Sequence, residues 1–211
     1  MIQPNPMSEY IAAYASGALS EGMSLLVGAH LTYSAERRRE AAFYESISGA
    51  LLDGEPSEPG PSLDATLALL DAPERARPAP LPFDPEMPLP VPVRQALAEA
   101  GDEIRWRFRL PGVHEHQIAG FDGETVSLMR VRPGRAMPHH THDASEATLV
   151  FTGQMQDEGV VYARGDIALA DHNDDHQPRV IGDETCYCLV VLGGAMRFTG
   201  PVSRALNIFS R

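Results

Sequence analysis

His140 and His142, separated by one residue and followed four positions later by Glu146, are the side chains of this chain best spaced for metal chemistry. On an extended strand, side chains two apart share a face. Both imidazoles therefore point the same way, and Glu146 returns on the next strand of a small β-barrel. Two neutral imidazoles and a carboxylate then converge on one point, a donor set that suits zinc, iron, nickel or manganese. A fourth donor has to come from farther along the chain. The stretch Asp171-His-Asn-Asp-Asp-His176 offers His176, which precedes the alternation of another strand and is the expected ligand, with His172 as its rival. Asp171, Asp174 and Asp175 are candidates to orient a ligand imidazole through its second nitrogen.

The remaining reactive side chains carry weaker patterns. His114 and His116 share a strand face in Val113-His-Glu-His-Gln-Ile118, but they lack a carboxylate at ligand spacing and are expected to be exposed strand residues. His139 alternates away from the proposed cavity. The two cysteines, Cys186 and Cys188, lie on one strand face. At about 7 Å apart they are too distant for an unstrained disulfide, so buried free thiols are expected. Nothing between Gly134 and His176 supplies a general acid or base beyond Glu146, and no Gly-x-Gly-x-x-Gly loop is present. No catalytic residue and no organic-cofactor residue is assigned.

The elements that must position these residues follow from periodicity. From Ser8 to Leu52 apolar residues recur at helical spacing: Tyr10, Ile11 and Tyr14; then Met23, Leu26, Val27 and His30 after the capping Ser20; then Ala41, Phe43, Ile47, Ala50 and Leu51 after Ser34. The prolines of Gly54 to Pro61 exclude regular structure. Ser62 caps a short fourth helix, about 62–72, whose Leu63, Leu67 and Leu70 require a surface to bury against. The proline-rich run from Pro73 to Pro92 reads as a stiff connector across which the two halves can move, and a helix follows to Ala100. From Glu103 onward short alternating runs separated by Gly, Asp or Pro predict strands near 104–109, 113–121, 126–131, 147–151, 160–162, 167–170, 179–181, 186–192 and 196–199. The fold class is α+β: a helical unit over residues 1–53, a linker over 54–93 and an all-β barrel or sandwich over 94–211.

Composition narrows the function classes. With 211 residues, 43% hydrophobic and 22% charged, the chain has globular values, and no apolar run is long enough to span a membrane. The start, Met1-Ile-Gln-Pro-Asn-Pro-Met-Ser8, lacks the basic and apolar regions of a signal peptide, so a cytoplasmic protein is expected. A net charge of −12 repels phosphate backbones and argues against direct nucleic-acid binding. Arg37, Arg38 and Arg39 read as a solvated helix face.

The frame around the histidines, with Gly134 before the first and Gly153 closing the hairpin, is similar to the first motif of the cupin superfamily. Gly165-Asp166 followed by His176 resembles the second, without its usual Pro-x-Gly. The whole arrangement resembles the ChrR-type anti-sigma factors, through Ala13-Tyr-Ala-Ser-Gly-Ala-Leu-Ser-Glu21, Ala29-His-Leu31, Arg105-Trp-Arg107, His140-x-His142 with Glu146, Gly165-Asp-Ile167 and Cys186-x-Cys188. That resemblance implies a cupin (double-stranded β-helix, jelly-roll) domain and one divalent metal held by His140, His142, Glu146 and His176, zinc first with iron, nickel or manganese as alternatives. It also implies a helical domain that grips an extracytoplasmic-function (ECF, group IV) sigma factor, and a response to oxidative signals such as singlet oxygen. In the family the helical domain holds its own zinc through an early His and a His-x-x-x-Cys-x-x-Cys segment. Here His30 is present, but Ser34 and Arg37 stand in the cysteine places and Asn5 stands about where the early His belongs. A hydroxyl and a guanidinium cannot replace thiolates, so no zinc is expected there and His30 is expected to be a packed, hydrogen-bonded histidine.

Two functions compete on this sequence. In the first the chain is a regulator, with stripes such as Met23, Leu26, Val27 and Phe43 covering the polymerase-binding face of a sigma factor. In the second it is a metal-dependent cupin dioxygenase or isomerase whose helical segment serves as an oligomerisation arm. The first uses both halves of the chain and is preferred; a homodimer is compatible with either.

Overall fold

Serine hydroxyls open three of the helices. Ser20, Ser34 and Ser62 each accept a hydrogen bond from the backbone N–H three residues on, satisfying a donor that the first helical turn leaves unpaired. They precede α2 (Glu21–Leu31), α3 (Ala35–Leu52) and α4 (Leu63–Ala68); α1 (Pro6–Ala15) comes before them and α5 (Val91–Ala100) after. Gly101, at φ +67°, closes α5 in the left-handed conformation that glycine adopts without a Cβ clash. The structure is a computed structural model and describes residues 6–53, 60–71, 77–101 and 103–200. Asn5, most of the Gly54–Pro61 stretch and Pro73 lie outside the described residues.

The strands are β1 (Arg107–Leu110), β2 (Val113–Ile118), β3 (Thr125–Val131), β4 (His140–His142), β5 (Glu146–Thr152), β6 (Gln154–Asp157), β7 (Val160–Tyr162), β8 (Ile167–Ala170), β9 (Arg179–Ile181), β10 (Cys186–Leu192) and β11 (Met196–Phe198). A six-stranded antiparallel sheet runs in the order β1-β2-β3-β10-β5-β8. Facing it, β7-β6-β9 and β11-β4 are joined through single bridges between Ala136 and Arg179 and between His140 and His176. This is the double-sheet closure expected of a cupin.

Side-chain alternation splits the large sheet into two cores. Leu128, Leu189 and Leu149 lie opposite one another across β3, β10 and β5, and with Ile118, Val126, Phe151 and Val191 they face the helices. The alternate positions, among them Val131, Val150, Cys186 and Cys188, face the second sheet. A third, smaller core of Ile11, Val27, Leu31 and Ala41 holds α1, α2 and α3 together.

Helix α2 belongs to two cores at once, which corrects the expectation of two halves free to move. Leu26 and Ala29 are fully buried together with Val93 and Leu97 of α5 against the barrel sheet, whereas Val27 and Leu31 face α1 and α3. Gly22 makes the close approach possible: a Cβ there would lie 2.6 Å from Glu124 Oε2 and 2.8 Å from Val126 Cγ2. The N-terminal end of the helix is pinned by Glu124, which accepts from Ser20 Oγ at 2.6 Å and from the Gly22 N–H at 3.0 Å. At the other end His30 Nδ1 donates to the Gly165 carbonyl at 2.8 Å, and Arg164 lies over the Tyr33 ring at 5.2 Å.

The sigma-facing stripe expected from the sequence is therefore mostly internal. Leu26 and Val27 are buried within the chain itself, because the barrel and the other helices already cover α2 on two sides. Phe43 is 60% exposed, and with Ile47, Leu51 and Leu52 it forms an apolar face on α3 that nothing among the described residues covers. The α4 stripe also fails to bury: Leu63, Leu67 and Leu70 are all exposed.

Candidate metal centre

The backbone brings the first pair of ligands together before any side chain acts. His140 and His176 exchange both of their backbone hydrogen bonds, N–H to carbonyl at 3.1 and 3.0 Å, which sets the two residues directly opposite each other. His142 sits two residues along β4 on the same face. Glu146 begins β5, whose inward positions continue with Thr148. One ligand atom from each of His140, His142, Glu146 and His176 lies within 4.8 Å of the others. All four side chains are buried.

Hydrogen bonds fix which nitrogen of two of the rings faces the centre. His140 Nδ1 donates to the Pro138 carbonyl at 2.8 Å, and His176 Nδ1 donates to Asp157 Oδ2 at 2.6 Å, leaving both Nε2 lone pairs directed inward. His142 Nε2 lies 2.9 Å from His176 Nε2 and 3.1 Å from Glu146 Oε2. His142 Nδ1 is buried without a hydrogen-bond partner among the described residues. Thr148 Oγ1 donates to Glu146 Oε1 at 3.1 Å and steadies the carboxylate.

Burial and mutual contact shift three of the four groups. Burial pushes His142 below the usual imidazole range. Burial works against ionisation of Glu146, yet the imidazoles of His140, His142 and His176 hold it below the usual carboxylate range. Burial pulls His176 down as well, but the hydrogen bond and charge of Asp157 outweigh it and leave the ring above its ordinary value. Three imidazole nitrogens and one ionised carboxylate oxygen at these separations fit one divalent ion with nitrogen and oxygen preference.

Around this cluster the structure revises two expectations, the acceptor behind His176 and the exposure of His116. His172 is exposed, and the fourth side chain brought to the centre is His176. The acceptor behind His176 is Asp157, on the unanticipated strand β6, rather than Asp171, Asp174 or Asp175. Those three are engaged elsewhere: Asp171 accepts from the Asn173 N–H, Asp174 from the Asp171 N–H and Asp175 from the Thr199 hydroxyl. The sequence signal for β6 is the pair Glu158-Gly159, a two-residue turn between β6 and β7 in which both residues adopt the positive φ that a tight hairpin requires. His116, expected to be exposed, is 6% exposed, and its Nδ1 accepts from the Arg105 N–H, because its strand face turns toward the helical layer. His139 is exposed and lies near Asp175, facing away from the cluster.

The cluster forms part of the wall of a cavity of about 530 Å³ between the two sheets. Cys186 and Cys188 line it as free, buried thiols. The hydrogen bond between them, reinforced by burial, pushes Cys188 up, so it stays protonated and is a poor nucleophile. In the helical layer, Ser34 is the N-cap of α3 and Arg37 pairs with Glu40 at 2.7 Å, so both have structural partners of their own.

A family model described as the ChrR cupin-like domain matches residues 94–195. The anti-sigma-E factor ChrR of Cereibacter sphaeroides is 32% identical over 209 residues, spanning 95% of this chain and 94% of that protein. Among solved structures, the chain is similar to one in the crystal structure of Rhodobacter sphaeroides SigE in complex with the anti-sigma ChrR. That match has a TM-score of 0.72 and 26% identity, and it covers 88% of this chain and 96% of that one.

Proposed function

Because the chain belongs to the ChrR-type anti-sigma factors, a family of regulatory proteins with a cupin domain, we propose that it sequesters a sigma factor of the ECF (group IV) type through its N-terminal helices. The observation that carries this reading is the bare apolar face of α3. Phe43, Ile47 and Leu51 recur at i, i+4 and i+8 and are 60%, 42% and 71% exposed. A contiguous apolar surface of this kind is characteristic of a helix that docks on a partner protein.

The barrel, in the same reading, holds one divalent ion through His140, His142, Glu146 and His176, zinc before iron, nickel or manganese. Zinc held by these four residues would cross-link β4, β5 and the segment before β9. Burial of all four side chains supports a structural or sensory role for the ion. The protein works in the cytoplasm, where the sigma factor meets RNA polymerase, a location consistent with its anti-sigma relative. Response to oxidants such as singlet oxygen follows from the family resemblance.

Co-expression with the sigma factor encoded beside it tests the partner. Wild type is expected to co-purify with it in a one-to-one complex, and Phe43→Glu with Ile47→Glu to abolish the complex while leaving the circular dichroism of the free protein unchanged. Retention of the sigma factor by that double variant overturns the assignment of the surface.

A further inference from the structure

The cavity between the sheets is larger than the proposed ion needs. At about 530 Å³ it lies within the range of small-molecule sites, and most of its wall is apolar: Met129, Met137, Met155, Met196, Leu192 and Phe198. Four of these six are methionines, whose unbranched thioethers adapt to the shape of an apolar guest. The cavity has a polar end as well. Arg109 lines it with a half-exposed side chain, so its guanidinium marks the opening to solvent, where it pairs with Glu115. Glu115 also accepts from Ser127 Oγ at 2.7 Å.

A second pocket, of about 490 Å³, shares Gln117 with the cavity and is bordered by Arg105, Arg107 and the buried His116. Three arginines at alternate positions, Arg105, Arg107 and Arg109, against Glu103 and Glu115, give this rim a positive balance on a chain of net charge −12. Positive charge at one mouth of an otherwise acidic surface attracts and orients anions.

We propose that the barrel cavity and its arginine rim bind an amphipathic carboxylate of medium chain length, with the hydrocarbon among the methionines and the carboxylate at Arg109. Chelation separates this end from the imidazole end, where a bound divalent ion would also attract an anion. The site stands apart from the sigma-binding surface on α3, so it survives failure of that assignment.

Isothermal titration of the metal-loaded, full-length protein with decanoate, decan-1-ol and decyltrimethylammonium, all below their micellar concentrations, tests the proposal. One decanoate per chain is expected, bound about tenfold or more tighter than the alcohol, with the ammonium weakest. Arg109→Gln with Glu115→Gln removes both charges together and leaves no unpaired carboxylate; it is expected to erase the preference for decanoate over the alcohol. Val190→Trp, which fills the cavity from β10, is expected to weaken all ligands. Removing the metal with a chelator is expected to leave decanoate affinity within about twofold. No decanoate binding, equal affinity for the three head groups, or a preference lost on chelation but kept in the arginine variant would each overturn it.

Discussion

Asp157 carries more of the candidate centre than its distance in sequence suggests. Its Oδ2, 2.6 Å from His176 Nδ1, holds the ring in the tautomer that turns Nε2 inward. Partners of this kind typically change metal affinity by about 10- to 100-fold. Asp157→Ala is therefore expected to weaken zinc binding by about that factor in competition with a chromogenic chelator, and Asp157→Asn by less, because the amide oxygen still accepts. Equal zinc affinity in all three proteins would remove Asp157 from the site. His30 gives a residue-scale pH dependence away from the ion. Burial pushes it below the ordinary imidazole value, and its bond to the Gly165 carbonyl only partly offsets this. The unfolded chain thus takes up a proton that the folded chain refuses. The stability concerned is complete above the ordinary value of about 6.5 and is lost as pH falls below it. Thermal midpoints between about pH 7.5 and 5.5 are expected to fall less steeply in His30→Gln than in wild type; parallel slopes would contradict this.

Helix α2 is where sequence reading and structure part most clearly. Its start at Ser20 and its apolar positions were legible, because capping and helical periodicity are local properties. Which face meets which neighbour is not local, and a helix apolar on two sides gives no sign of whether the second side awaits another protein or its own barrel. For the same reason β4, β5 and the convergence of His140, His142 and Glu146 could be read from two-residue spacing, whereas Asp157 could not. It reaches His176 only because β6 pairs with β9 across the second sheet. Leu26, fully buried where α2 meets the sheet, measures how firmly the layers hold. Leu26→Ala is expected to cost about 2–5 kcal/mol in denaturant unfolding. Glu124→Ala, which frees the Ser20 hydroxyl and the Gly22 N–H, is expected to cost about 1–3 kcal/mol. It should also speed amide exchange along α2 more than in β3; uniform exchange would show that the end contact does not hold the helix.

At the scale of the whole molecule, the largest apolar core and the candidate ion site lie on opposite faces of the six-stranded sheet. Loss of the ion should therefore loosen β4, β11 and the segment before β9 without dissolving the helical layer. Chelation is expected to lower the thermal midpoint by about 5–15 °C while the helical signal at room temperature is retained. Collapse of the helical signal on chelation would mean that the ion supports the whole fold.

The double allegiance of α2 also bears on how such chains can be recombined. A chimera that joins the helices of one relative to the barrel of another inherits an α2 flank and a sheet surface shaped by separate histories. Leu26, Ala29 and Gly22 must therefore travel together with Val126, Glu124 and Val191 if the hybrid is to close. The seam for exchanging modules thus runs through the middle of a helix, and the proline-rich stretch is a poor place to cut.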